Sequence, residues 1–289
     1  MIHLLEIRNN RDNNNLFTNY YSKGLELDTN AIIESTVKLQ GLINDDQKAK
    51  EDNRQWSVII LDSEVAGAFI SMLIGYLFEG NRTASKTSYF FNHIDRYQPQ
   101  ISITIHDTLK ESYPVNYIYD HEGTVAEPDI LLIDSGTVKS HLTDLESARK
   151  LNVKNNGRSR SQDYRNIPSP RATNVVVDPS ERTLSQMLHE TKDGIYCVGM
   201  SGAAIDAASG IIHLNCQIGY YIKNGVKESI IKEPGLSFEV FDFMNSICSL
   251  GNDQSIGYRF MGKGRPLQNC LIGYCSPSIK LERRDVYGT

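Results

Sequence analysis

One uninterrupted apolar run, "VAGAFISMLIGYLF" at residues 65–78, constrains this chain more than any other stretch. It holds no acidic, basic, histidine or cysteine side chain. It is also too short to span a bilayer, which takes roughly 20 residues. A short strand, Ser57–Leu61, precedes it, and Asp62 or Ser63 stands where a side-chain oxygen can cap the first turn of a helix. Gly80 follows at a place suited to the left-handed residue that ends one. Gly75 sits inside the run, where glycine costs about 1 kcal/mol relative to alanine. The run reads as a core helix, and its lack of polar groups asks whether chemistry has been removed from it.

With 289 residues, the chain is long enough to bury a substantial core. Its net charge of −5 argues against a general nucleic-acid binder, which would need a basic surface. The N-terminal "MIHLLEIRNNRDNNN" lacks the basic region and cleavage site of a secretory signal. Five cysteines, Cys197, Cys216, Cys248, Cys270 and Cys275, form an odd set without CxxC spacing. The expectation is a reduced, cytoplasmic protein with buried thiols and neither a disulfide framework nor a cysteine-rich zinc site.

Residues 1–55 read as a short, polar, weakly packed N-terminal segment, and 56–289 as the main domain. Within the first, Thr29–Ile43 carries apolar residues at helical spacing, and the charged stretch Asn44–Arg54 reads as exposed. In the second, strands are expected at 101–107, at 129–144 as a hairpin turning at Ser135-Gly136, and at "TNVVVDP". Further strands are expected at "GIYCVGMSG", "GIIHLNCQIGYYIKNGVKES" and "SIKLE", with Asn224-Gly225 as a type I′ turn. Helices are expected at "LESARKLN", at "SERTLSQMLHE" behind Ser180, and over about Leu236–Leu250. Residues 154–171 read as a polar, basic loop. Strands joined mostly by hairpins point to an α+β fold built on mainly antiparallel sheet with flanking helices.

Familiar catalytic patterns are missing. His189-Glu190 and His121-Glu122 begin as HExxH or HExxxH would, but neither has a second histidine at the required spacing. His189-Glu190 reads as a helix end, and Asp120-His121-Glu122 as loop composition. No nucleophile elbow, Walker loop or dinucleotide glycine pattern is present, and "GKG" at 262–264 reads as a turn.

Several segments, taken in order, resemble the TldD/PmbA family of TldD and TldE metalloprotease subunits. They are "FEGNRTASKTSYF", "DHEGTVAEPDILLIDSGTVKSHLTDLESARKLN", "NNGRSRSQDYRNIPSPRATN", "GIYCVGMSGAAIDAASGIIHLNCQIGYYIKNG" and "SICSLGNDQS". The likeness runs through most of the chain from about residue 56. In TldD-type members the helix before the Glu-Gly exit carries HExxxH. Counted back from Phe78-Glu79-Gly80, its first His falls on Ser71, its Glu on Met72 and its second His on Tyr76. The family's third ligand, a Cys, falls near Phe260 or Met261. The resemblance therefore implies a TldE (PmbA)-type subunit with vacant motif positions, no catalytic residues and no metal of its own.

It further implies a heterodimer in which a TldD-like partner holds the zinc and cleaves unfolded or leader-bearing peptides. Substrate would be gripped largely through its backbone by strand addition. Arg158, Arg160 and Arg171, with Ser201 and Gly202 of the glycine-rich strand, would contact the peptide. Family members carry a long N-terminal domain before the helix, whereas about 55 residues precede it here, so this region is expected to be shortened. Two other functions fit the residues: a peptide-binding or scaffold homodimer, and a metal-independent hydrolase using Ser71, Cys197 or Cys216.

Overall fold

The apolar run forms the helix Ser63–Leu77, and twelve of its fifteen residues are buried. The computed structural model describes residues 2–8, 16–23, 28–52, 54–264 and 267–283. Asp62 caps the helix by accepting the Val65 amide at 2.7 Å. Burial raises the Asp62 pKa to about 7, against the pull of Lys38. A helix apolar on every face needs cover on every side. Two sheets supply it, since strands of both pack against this helix.

The first sheet runs in the spatial order 226–232, 211–223, 193–205, 58–61, 279–282 and 247–250, with 235–239 added along 211–223. The second runs 255–263, 268–276, 174–177, 105–108, 129–134 and 137–138. Pairing is antiparallel except between 58–61 and 193–205 and between 174–177 and 268–276. The α+β, mainly antiparallel architecture read from the sequence is therefore the observed one. Ile59, Phe69, Leu73, Val175, Ile195 and Ile272 belong to one continuous core reaching both sheets.

Several local expectations match the structure. The Ser135-Gly136 and Asn224-Gly225 turns both have positive φ at each residue, as type I′ turns require. The helix Leu145–Leu151 carries a capping box from Asp144 and Ser147. In the N-terminal region Thr29–Asp46 is helical, and Leu39 and Leu42 pack with Ile60 and Ile218 of the first sheet.

Other expectations are corrected. The helix ends at Leu77; Gly80 has no left-handed φ and instead opens a second short helix, Gly80–Ala84. The strand expected at 101–107 is confined to Ile105–Thr108. The helix behind Ser180 is capped by Thr183, since Ser180 donates to the Leu250 carbonyl. The helix expected over Leu236–Leu250 splits into the strand Gly235–Glu239, the helix Val240–Ser246 and the strand Ile247–Leu250. Its two ends pair in the first sheet instead, where the aromatic and β-branched residues suit strands. The hairpin Ser255–Lys263 with Gln268–Ser276 was not anticipated; its alternation is broken by glycines.

The expected exposure of 44–54 fails at Asp46, which is buried, and Lys50 is bridged to Ile231. Residues 2–8 and 17–23 form an unanticipated two-stranded ladder, while the asparagine-rich 9–15 lie outside the described residues.

Candidate functional site

The helix and the unanticipated hairpin meet at the vacant motif positions. Ser71 is fully buried and donates its hydroxyl to the Ala68 carbonyl at 2.8 Å, a bond within its own helix. Met72 is nearly buried. The Tyr76 hydroxyl donates to the Gly262 carbonyl at 3.0 Å and so ties helix to hairpin. Residues alternate along the strand Ser255–Lys263: Phe260 is 61% exposed, whereas Met261 is 3% exposed. A Cβ at Gly75 would lie 3.2 Å from Met261 Sδ and Cε, so Gly75 makes the room into which Met261 packs. Met261, rather than Phe260, is thus the residue that faces the helix where the third ligand was placed.

A buried ammonium completes this neighbourhood. Lys263 donates to the Gly75 carbonyl and pairs with Glu79, while its Nζ lies 4.6 Å from the centre of the Tyr76 ring. Glu79 is 4% exposed and also accepts from Arg82 Nε at 3.0 Å. Burial lowers the Lys263 pKa to about 8, with Glu79 opposing the shift. Burial, then the Glu79 charge, raises the Tyr76 pKa. The sequence places Lys263 in a turn and Glu79 only in the exit of the helix. Their pairing joins positions 184 residues apart, and no local signal announces it.

These donors do not fit zinc. A hydroxyl bonded within its helix, a phenol tied to a carbonyl and the Met261 thioether replace the imidazole and thiolate ligands that Zn²⁺ takes, and the Met72 thioether replaces the glutamate base. The Lys263 ammonium, held beside Tyr76, would add repulsion against a dication.

The three arginines expected to line a peptide groove lie beneath the surface instead. Arg158 and Asp107 are both fully buried and bonded at 2.6 Å between Nε and Oδ1. Arg158 Nη2 further donates to the carbonyls of Asp107 and Glu127 at 3.2 and 2.8 Å. Arg160 donates to the carbonyls of Ala172 and Leu271, each at 2.7 Å. Arg171, 1% exposed, donates to the carbonyls of Met261 and Lys263 at 3.2 and 3.3 Å. Their guanidinium forks therefore bind the chain's own backbone, and Arg171 positions the strand that carries Met261 and Lys263. The 154–171 segment is an ordered strap with a two-residue ladder, Ser159-Arg160 on Ser169-Pro170, rather than an open loop.

Ser201 is the extra residue of a β-bulge between Met200 and Gly202 and is exposed; a Cβ at Gly202 would meet open space. These two are accessible, unlike the arginines. The nucleophiles weighed for a metal-independent hydrolase are not: Ser71, Cys197 and Cys216 are all 0% exposed. The Cys197 neighbour and burial push the Cys216 thiol up, away from the reactive thiolate. Asp120 accepts the amides of Glu122, Thr124 and Ser159, so that acidic cluster organises a turn. Among the described residues no helix is long and apolar enough to cross a membrane.

The family model for the PmbA/TldA metallopeptidase C-terminal domain matches residues 55–288. A metalloprotease TldD homolog of Buchnera aphidicola subsp. Schizaphis graminum is 29% identical over 232 residues, covering 80% of this chain and 48% of that protein. The homolog from Buchnera aphidicola subsp. Acyrthosiphon pisum is 30% identical with the same coverage of both chains. The chain thus spans about half the length of these relatives. Among solved structures, TldE from Thermococcus kodakarensis superposes with a TM-score of 0.74 at 18% identity, over 93% of this chain and 58% of that one. A Thermotoga maritima protein described as a putative modulator of a DNA gyrase gives 0.72 at 17% identity, over 97% and 60%. At those identities the likeness is one of fold.

Proposed function

This chain belongs to the PmbA/TldD metallopeptidase family, and from that premise we propose that it is the non-catalytic, TldE-like subunit of a two-component zinc peptidase. The observation that supports this is the content of the motif positions. Ser71, Met72, Tyr76 and Met261 are engaged in packing and backbone bonds, and the Lys263–Glu79 pair stands beside them. Nothing in that set lowers the pKa of a water molecule or polarises a peptide carbonyl as a metal centre does.

In this reading a TldD-like partner holds the zinc in the cytoplasm and cleaves unfolded or leader-bearing peptides. This chain completes the substrate groove with the accessible bulge at Ser201 and Gly202, where backbone addition tolerates many sequences. The test is to purify the chain with and without an HExxxH-bearing partner and assay a disordered peptide. The expected result is a stable pair, zinc confined to the partner, and cleavage that depends on this chain. Full cleavage by the partner alone, or stoichiometric zinc in this chain alone, overturns the proposal.

A further inference from the structure

A cavity of about 250 Å³ opens beside the first half of the central helix. Its lining includes Ala68, Met200, Tyr258, Arg259, Phe260 and Tyr274. That is room for a single residue, below the usual range of drug-sized pockets. Among the described residues, one wall holds a charge without a counter-charge. Arg259 Nη1 donates only to the thioether of Met200, at 3.2 Å, and its buried Nε has no acceptor among the described residues. A thioether is a weak acceptor, so the half-buried guanidinium has its Nε out of water without the bond that would offset the cost. Burial accordingly lowers the Arg259 pKa. Glu64, which also lines the cavity, is bonded to Lys38 at 2.8 Å.

We infer that this cavity binds the C-terminal carboxylate of a peptide whose last residue is apolar. The guanidinium fork matches a carboxylate in charge and planar geometry. The aromatic walls call for an apolar group next to that carboxylate, and an apolar terminal residue carries both on neighbouring atoms. An aspartate or glutamate side chain offers the charge without the apolar group. Two further features place the cavity on the peptide path. Ala68, whose carbonyl takes the Ser71 hydroxyl, is part of its wall, and Met200 directly precedes the exposed Ser201 bulge. The inference rests on the peptide-binding reading above and gives that site a polarity: the chain end enters here.

Methyl NMR on the full chain, uniformly labelled at methionine methyl groups, tests it without any partner. Met200 is assigned through Met200→Leu. N-acetyl-phenylalanine is titrated in parallel with N-acetyl-phenylalanine amide and N-acetyl-aspartate amide. The free carboxylate is expected to shift the Met200 methyl saturably and to bind at least 10-fold more tightly than either amide. Arg259→Gln is expected to abolish that preference while the other methionine methyls keep their dispersion, and Arg259→Lys to retain part of it. Equal binding of acid and amide, equal binding of the aspartate derivative, unchanged binding in Arg259→Gln, or an unmoved Met200 methyl would each overturn the inference. Failure here leaves partner-dependent cleavage intact, so the two readings fail separately.

Discussion

Arg158 is fully buried and Arg259 half-buried with its Nε out of water, and their surroundings are opposites. Arg158 spends its fork on the Asp107 carboxylate and on the carbonyls of Asp107, Asn156 and Glu127. Asp107 in turn accepts the backbone amide of Thr173 at 2.7 Å, so one charge pair binds the strap to the strand Ile105–Thr108. Among the described residues, Arg259 has a thioether and an unbonded Nε. The contrast separates architecture from recognition: Arg158, paired with a buried carboxylate, holds the fold, and Arg259, with a thioether beside an open cavity, is left for something outside it. Arg171, whose buried Nε is likewise unpartnered among the described residues, faces no such cavity and binds the carbonyls of Met261 and Lys263. The family resemblance reverses these roles, placing peptide contacts on the arginines of the 154–171 segment and none on Arg259.

The largest effect that could break this contrast is on stability. Arg158→Met leaves Asp107 charged and uncompensated, and is expected to cost about 3–5 kcal/mol in urea unfolding. A loss below about 1 kcal/mol would mean the strap does not depend on the pair. Lys263→Met comes next, at about 2 kcal/mol, because Glu79 keeps Arg82 as a partner. The double variant Lys263→Met with Glu79→Gln is expected to lose less than the two single losses added, since the second change removes the stranded charge.

The same lysine supplies a pH signature. Its folded pKa of about 8 lies below the unfolded value, so between the two the unfolded chain holds more protons and stability rises with pH. Lys263→Met is expected to flatten that rise between about pH 8 and 10, as read by chemical denaturation. A smaller effect, about 1 kcal/mol, is expected for Tyr76→Phe, which removes the hydroxyl bond to Gly262 and keeps the ring. Smallest is Arg259→Met, expected to change stability by less than about 0.5 kcal/mol or to raise it, because it removes an unpaired buried donor. A destabilisation as large as that of Arg158→Met would erase the distinction between the two arginines.

Much of the scaffold was legible in local pattern. The apolar run, its Asp62 cap, the two positive-φ turns and the 145–151 helix follow from short-range rules, and so does the predominance of hairpins. What misled was context. The stretch 236–250 is expected to be one helix, yet its ends pair in a sheet with residues 211–215 and 279–281. The 255–276 hairpin hides its alternation behind glycines at 257, 262 and 273, where a Cβ would strike Tyr274, Asn269 and Asn174.

By itself the sequence determined which side chains occupy the helix: Ser71, Met72 and Tyr76 are facts of the chain, and no packing could turn them into zinc ligands. It determined equally that a helix apolar all round needs enclosure. Only the tertiary structure decided that Met261 and not Phe260 faces that helix, that Lys263 meets Glu79, and that the strap's arginines point inward while Arg259 is left open. The physical reason is range. Capping and turn chemistry act over a few residues, whereas strand register and the pairing of buried charges are settled between segments far apart in the chain.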